Sequence, residues 1–210
     1  LALLPSRGRS LVDVGAGYGR LVDEYAGYDR IVLVDASAVH VEVARERFGA
    51  DPRISVMEAD AAAIPLDDGS VDAVVCVRLL HHFEDPGPVV REIGRVLRPG
   101  GVAVLEVANK RNAKALARWL LRRQAWSPFE PGPATYKPFH HDHAPRDVER
   151  WLREAGMRIE RRLTVSLFRW RPLTDRVPAD TLARVERPLQ RLLSPLAPGP
   201  SLFVRARRRG

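Results

Sequence analysis

The chain has 210 residues, 45% of them hydrophobic, and a formal net charge of +8. That length supports one domain with a substantial core over residues 1–210. The single cysteine, Cys76, excludes an intramolecular disulfide, no apolar run approaches a membrane span, and no signal-peptide pattern is visible, so a cytoplasmic protein is expected.

In chain order, an apolar strand starting near Ser10 runs into Asp13. Gly15, Gly17 and Gly19 follow at alternate positions, then a helix-like stretch from Leu21 to Tyr25. Glycine has no Cβ and tolerates positive φ, so such a turn lets the backbone pass close to a ligand. A helix behind the turn would offer free N–H groups and a positive dipole end. A second apolar run, Ile31 to Val34, ends in Asp35, where a carboxylate can accept from both hydroxyls of a ribose. Strand, glycine turn, helix, strand and acid make a nucleoside-binding half-fold. The dinucleotide fingerprint G-x-G-x-x-G/A is broken, because its third small position is Arg20.

A third strand is expected over Ile54 to Glu58, followed by Asp60, which either meets a ligand or caps the next turn. Leu66 to Ser70 is a turn by composition. Val71 to Val77 is a continuous apolar run and reads as a buried strand. Cys76 inside it reads as a small buried residue, since no basic group stands next to it to activate the thiol. The run Arg78-Leu79-Leu80-His81-His82-Phe83-Glu84-Asp85-Pro86 leads to a helix from Val89 to Leu97, stopped by Arg98-Pro99-Gly100-Gly101. A fifth strand covers Val102 to Val107. The unbroken alternation of strand and helix implies right-handed crossovers and a parallel sheet, whose ligands sit at the carboxyl ends of the strands. Gly15, Asp35, Asp60 and Arg78 all fall at such ends.

The pattern Asp13-x-Gly15-x-Gly17-x-Gly19 resembles motif I of the class I S-adenosylmethionine-dependent methyltransferases. The Leu80-His81-His82 run through Asp85-Pro86, and Leu97-x-Pro99-Gly100-Gly101, are similar to the quinone-biosynthesis and small-molecule branch, the type 11 methyltransferase domain. The resemblance covers roughly residues 10–108. It implies an α/β, Rossmann-like, mostly parallel seven-stranded sheet with helices on both faces and an antiparallel last strand. Helices before the first strand are short or absent here. It also implies S-adenosyl-L-methionine as cofactor, held by Asp13, Gly15, Ala16, Gly17, Gly19, Asp35, Ala36, Asp60, Ala61 and Arg78. In that family the motif I acid lies near the ligand's amino group, the glycines line its methionine portion, and the acid at Asp60 accepts from the adenine amine.

The second half, residues 109–210, is expected to set specificity. Residues 110–123 have helical periodicity, with Ala113, Leu116, Ala117, Leu120 and Leu121 on one face and Lys110, Lys114, Arg118 and Arg122 on another. Residues 126–138 read as a proline-rich loop, and about 124–144 as a lid. Trp126, Phe129, Tyr136, Phe139, His140 and His141 are the expected substrate walls. The cluster Phe139-His140-His141-Asp142-His143 is not expected to hold a metal, because adjacent residues cannot all converge on one ion and sulfonium methyl transfer needs none. His143 is expected to start the next helix, Asp147 to Ala155, with Val148, Trp151 and Leu152 inward and Gly156 as its stop. Met157 to Trp170 reads as strand six, Leu182 to Leu193 as an amphipathic helix, Ser201 to Arg205 as strand seven, and Arg205 to Arg209 as a solvated tail.

Residues 1–105 carry 11 basic and 16 acidic side chains, and residues 106–210 carry 23 and 10. A basic half can mean an acidic partner or nucleic acid. Arginine supplies 31 of the 34 basic residues, which reads instead as compositional bias. The expected function is methyl transfer to a small organic acceptor through oxygen, nitrogen or carbon. Catalysis then rests on positioning and desolvation, with a base only where the acceptor loses a proton. The histidines His81, His82, His140, His141 and His143 are base candidates. The position of the Asn/Asp-Pro-Pro-Tyr run of nucleobase amino methylation reads Arg78-Leu79-Leu80-His81 instead, and no RNA-binding module is visible. The alternatives are a non-catalytic binding domain of the same fold and an RNA methyltransferase using the basic half.

Overall fold

The computed structural model describes residues 2–167 and 176–210, with the side chains of residues 136, 137, 179, 183, 187 and 191 outside the description. The first half holds five strands and two α-helices: β1 (Gly8–Val14), β2 (Tyr28–Asp35), α1 (Ala38–Phe48), β3 (Ile54–Glu58), β4 (Val71–Cys76), α2 (Gly87–Val96) and β5 (Leu97–Ala108). The expected unbroken alternation of strand and helix does not hold, because β3 passes to β4 through turns alone. The second half adds α3 (Ala113–Leu120), β6 (Ala134–Lys137), β7 (His140–Asp142), α4 (Pro145–Glu154), β8 (Met157–Val165), α5 (Ala179–Leu193) and β9 (Ser201–Arg208).

Seven strands form one sheet in the order β3-β2-β1-β4-β5-β9-β8. The strands β1 to β5 pair parallel, and β9 runs antiparallel between β5 and β8. Alternation along each strand feeds two cores. Val12, Val14, Val32, Val34, Val74 and Leu105 pack against Val90 and Ile93 of α2 and Val148 and Leu152 of α4. Leu11, Ile31, Leu33, Ala73 and Val75 face the other way, against Tyr25, Tyr28 and Ala44 of α1. Both faces are therefore covered, as parallel sheets require. The order reverses at β1, which has β2 on one side and β4 on the other, and the crevice between β1 and β4 opens at the strand ends.

Several expectations need correction. Leu21 to Tyr25 is not an α-helix: one 3₁₀ turn, Val22–Tyr25, leads straight into β2. The segment closes only that one short turn before β2, so no α-helical dipole stands behind the glycines. Within the loop expected over 126–138, residues Ala134–Lys137 form a strand that pairs antiparallel with His140–Asp142. Its turn is Pro138-Phe139, with Phe139 at φ +60. Proline suits the first turn position, but a bulky residue at positive φ is a poor turn signal. His143 does not start a helix: its N–H donates to the Ala108 carbonyl at 2.8 Å, its own carbonyl accepts from Lys110, and α4 begins at Pro145. Proline at the first helical position explains that boundary. Strand β8 ends at Val165, and the expected strand residues 168–170 lie outside the described residues.

The basic terminus is not a tail either. β9 extends to Arg208, with Ala206 fully buried while Arg205 and Arg207 alternate outward onto Glu160 of β8. Arg208 donates to the Arg95 and Leu97 carbonyls. Among the described residues, 2–7 form no helix, and Leu3 covers Val102 and Val104 of β5.

Candidate active site at the ends of strands one and four

The glycine turn folds back onto its neighbouring strand. The N–H groups of Gly15 and Ala16 both donate to the Val34 carbonyl, at 2.8 and 3.0 Å. The Gly17 N–H donates to Asp35 Oδ2 at 2.7 Å, and the Ser37 N–H to Asp35 Oδ1 at 3.0 Å. Asp35 is thus fixed at the end of β2 by two backbone donors. A carboxylate has about four acceptor sites, so capacity for hydroxyl donors remains. His40, in the first turn of α1, approaches Asp35 Oδ1 at 3.3 Å. That histidine was not legible as a site residue, because its only signal is its place one helical turn after Asp35.

The three glycines have different reasons to be glycine. All three have positive φ, at +73, +56 and +77. A Cβ on Gly15 would meet Leu79 at 2.9 Å, and one on Gly19 would overlap the Phe48 ring. A Cβ on Gly17 would meet nothing within 4 Å. Gly15 and Gly19 therefore admit protein neighbours, whereas Gly17 borders open space at the mouth of the crevice. Leu79, which the sequence gave no reason to choose, closes the crevice from the β4 side.

Asp13 lies beneath the turn. It is 2% exposed, and Oδ2 accepts from the buried Tyr25 hydroxyl at 2.8 Å. Burial raises its pKa to about 7, against the lowering effects of Tyr25 and Arg20. Asp60 is exposed at the end of β3 and accepts from the Ala62 N–H at 2.9 Å, so it does cap the following turn. Ala61 is buried beside it and Ala36 is exposed after Asp35. Arg78 is exposed just after β4 at φ +61, a left-handed conformation that non-glycine residues adopt rarely. Cys76 is fully buried and burial pushes its thiol up, so it is inert.

Histidines converge on the same side. A 3₁₀ turn at Leu80–His82 follows Leu79. His81 packs at a tilt against His82, at 4.1 Å, and against His140 of β7, at 4.8 Å between ring centroids. The Phe139 carbonyl lies 3.0 Å from His82 Nδ1, which fastens the β6–β7 turn to the end of β4. Desolvation lowers the His81 pKa to about 4, helped by the neighbouring His82, His140 and Arg78. His141 turns away to Thr135 Oγ1 at 2.9 Å, and His140 Nε2 lies 3.4 Å from Asp142. His143 is buried edge-on against Trp151, and its Nε2 has no hydrogen-bond partner. Burial also lowers its pKa to about 4, against the raising effect of hydrogen bonding to the Leu80 and Phe83 backbone. Among the described residues no cluster could hold a metal ion.

The expected substrate walls separate. His140 joins the histidine cluster. Phe139 and Phe129 are exposed, Phe129 packing edge-on against Trp119 at 5.6 Å. Trp126 lies partly buried with Lys110 Nζ 6.0 Å from its ring centroid. The Tyr136 backbone lies in β6, and its side chain is outside the described residues. Lys110, 2% exposed, donates to the Glu130 and Gly132 carbonyls at 2.9 and 2.8 Å and pins the loop. A cavity of about 710 Å³ lies behind this loop, lined by Glu84, Asp85, Arg146, Arg150 and Trp151. It does not include the glycine turn, so strand-end geometry and not cavity size marks the site.

These features agree with comparisons to known proteins. Residues 12–105 match the family model described as a methyltransferase domain. A ubiquinone biosynthesis O-methyltransferase of Thiobacillus denitrificans is 31% identical over 189 residues, which cover 84% of this chain and 76% of that protein. An uncharacterized methyltransferase of Mycobacterium tuberculosis is 42% identical over 101 residues, 47% of this chain and 40% of that one. The fold matches an S-adenosylmethionine-dependent methyltransferase of Mesorhizobium loti with a TM-score of 0.66 at 22% identity, over 99% of this chain and 94% of that one. The chain belongs to the class I S-adenosylmethionine-dependent methyltransferases. Its match spans 30% and 40% of the length of two of the curated relatives, those of Streptomyces fradiae and Mycobacterium tuberculosis.

Proposed function

We propose that this chain binds S-adenosylmethionine in the crevice between β1 and β4 and transfers its methyl group to an oxygen of a small organic acceptor. The observation that carries the reading is the pairing of Gly17 and Asp35. One presents open space at φ +56, the other a carboxylate fixed at a strand end, and a 2.7 Å hydrogen bond joins them. A backbone surface beside a ribose acceptor suits a nucleoside, and Arg20 leaves no pyrophosphate cradle. The cofactor supplies an electrophilic methyl group on a sulfonium.

The chain's own residues position the acceptor and exclude water. Leu79 and the backbone of the glycine turn wall the crevice. The β6–β7 turn, tied to His82, covers the histidine cluster and forms the acceptor side. His81, lowered to about 4, is neutral at pH 7 and offers an unprotonated nitrogen to an acceptor hydroxyl. So weak a base orients the hydroxyl and takes its proton only late in the reaction. The name of the Thiobacillus denitrificans relative supports oxygen as the attacked atom.

Titration calorimetry with S-adenosylhomocysteine is the test. Binding in the micromolar range, about −8 kcal/mol, is expected, with no response to NAD. Asp35→Ala should weaken it by about 2–4 kcal/mol, since two ligand donors lose a charged acceptor. Tight NAD binding without a response to S-adenosylhomocysteine would overturn the proposal, and an unchanged Asp35→Ala affinity would remove Asp35 from the site. Transfer of labelled methyl groups to phenols, amines and quinone precursors then identifies the acceptor atom.

A further inference from the structure

Helix α3 presents apolar side chains that the fold does not use. Of its residues only Ala115 is fully buried, and none joins a core cluster. Leu120 is 71% exposed, Leu121 63% and Phe129 50%. Trp119 stands edge-on to Phe129, and the Arg111 guanidinium lies 5.3 Å from the Phe129 ring centroid. The helix therefore ends in a knob of leucines backed by two aromatic rings. Arg122, at φ +53, turns the chain sharply back: its N–H donates to the Trp119 carbonyl, and the Arg123 N–H to that of Arg118.

Along the sequence, the segment that carries this knob has charge of one sign. Between Glu106 and Glu130 the sequence holds six basic residues and no acid. Lys110 is buried on the loop carbonyls, whereas Lys114, Arg118, Arg122 and Arg123 are exposed around the leucines. Aliphatic tips ringed by basic side chains partition into the boundary between anionic headgroups and acyl chains. No described helix is long and apolar enough to cross a membrane, so the contact is superficial.

We infer that α3 and the turn after it, Trp119 to Arg123 backed by Phe129, form a patch that seats on an anionic lipid surface. Complementary charge supplies attraction, and the leucines supply insertion. Single-stranded nucleic acid would use planar rings for stacking, yet the most exposed side chains are aliphatic, and Trp119 and Phe129 engage each other. A second copy would bring a like-charged ring against this one. Because α3 follows the end of β5, a lipid-bound chain would hold the acceptor side of the crevice toward the membrane. The patch itself stands independently of the proposed reaction.

Co-sedimentation with vesicles tests the inference. The chain should sediment with vesicles of equal phosphatidylcholine and phosphatidylglycerol, at least about tenfold more strongly than with phosphatidylcholine alone, and raised salt should release it. The double substitution Leu120→Glu with Leu121→Glu should lower that binding at least about tenfold. Circular dichroism and S-adenosylhomocysteine affinity of the variant should match the parent, which separates failure of the patch from failure of the cofactor site. Absence of parent binding to the anionic vesicles, or equal binding by the variant, would overturn the inference. So would retention on single-stranded RNA without vesicle binding, or a solution dimer that the leucine substitutions dissociate.

Discussion

Asp13 should make the ligand-free protein less stable as pH rises, and Asp13→Asn should abolish that loss. The carboxyl is fully buried with one hydrogen bond from Tyr25, and burial takes its pKa from 3.8 to about 7. A carboxyl whose pKa is raised by folding binds more protons in the folded state. Its contribution is fully present below pH 3.8 and is lost as pH rises through about 7. At about 1.4 kcal/mol per unit, the whole effect is on the order of 4 kcal/mol. The two desolvated histidines, one half-buried and one buried, run the opposite way. His81 and His143 are lowered from 6.5 to about 4, so their neutral forms stabilise the fold above pH 6.5 and that contribution is lost toward pH 4. The two trends overlap in the parent profile, and the difference between parent and Asp13→Asn removes the histidines from it. Asparagine keeps an oxygen that can accept from Tyr25 and carries no charge. Urea denaturation between pH 5 and 8.5 should show the variant gaining on the parent with a slope approaching about 1.4 kcal/mol per pH unit, then levelling above pH 7. A difference that stays flat over this range would refute the reasoning.

Three further outcomes are expected. Gly17→Ala should lower S-adenosylhomocysteine affinity at least about tenfold, with a stability loss of only about 1–2 kcal/mol from its positive φ; Gly19→Ala, which must displace Phe48, should lower the melting temperature further. Calorimetry and thermal melts of the pair read this, and equal effects on affinity and stability would mean that the glycines share one structural role. Lys110→Met should lose two charged hydrogen bonds to the loop, about 2–3 kcal/mol, and expose residues 126–133 to limited proteolysis in the otherwise folded protein. An unchanged cleavage pattern would show that the loop is held by other contacts. His143→Phe should flatten the acid side of the stability profile between pH 6.5 and 4, because the unpartnered Nε2 no longer has to be kept neutral. Denaturant midpoints at pH 5 and 7 check it, and an unaltered acid limb would assign that limb to other groups.

The sequence by itself determined the first half of the molecule. Continuous apolar runs at β1, β2 and β4, each ending in a polar or glycine position, specify buried parallel strands with the candidate site residues at one end. Asp13, Gly15, Gly17 and Asp35 were legible because their roles are local: a turn conformation and a strand end depend on neighbours in sequence. The tertiary structure decided what depends on distant neighbours. Leu79 joins the glycine turn only because β4 lies beside β1, and Gly17 differs from Gly15 and Gly19 only through what each faces. His81 meets His140 across 59 positions of chain because a turn with Phe139 at positive φ docks on the end of β4. Alternating arginines at the terminus became strand β9 because Glu160 of β8 lies opposite. Periodicity placed Leu120 and Leu121 on an apolar face of α3, but it could not show that no core lies against them. Hydrophobic pattern records which side chains can be buried, and only the packing of distant segments records which ones are.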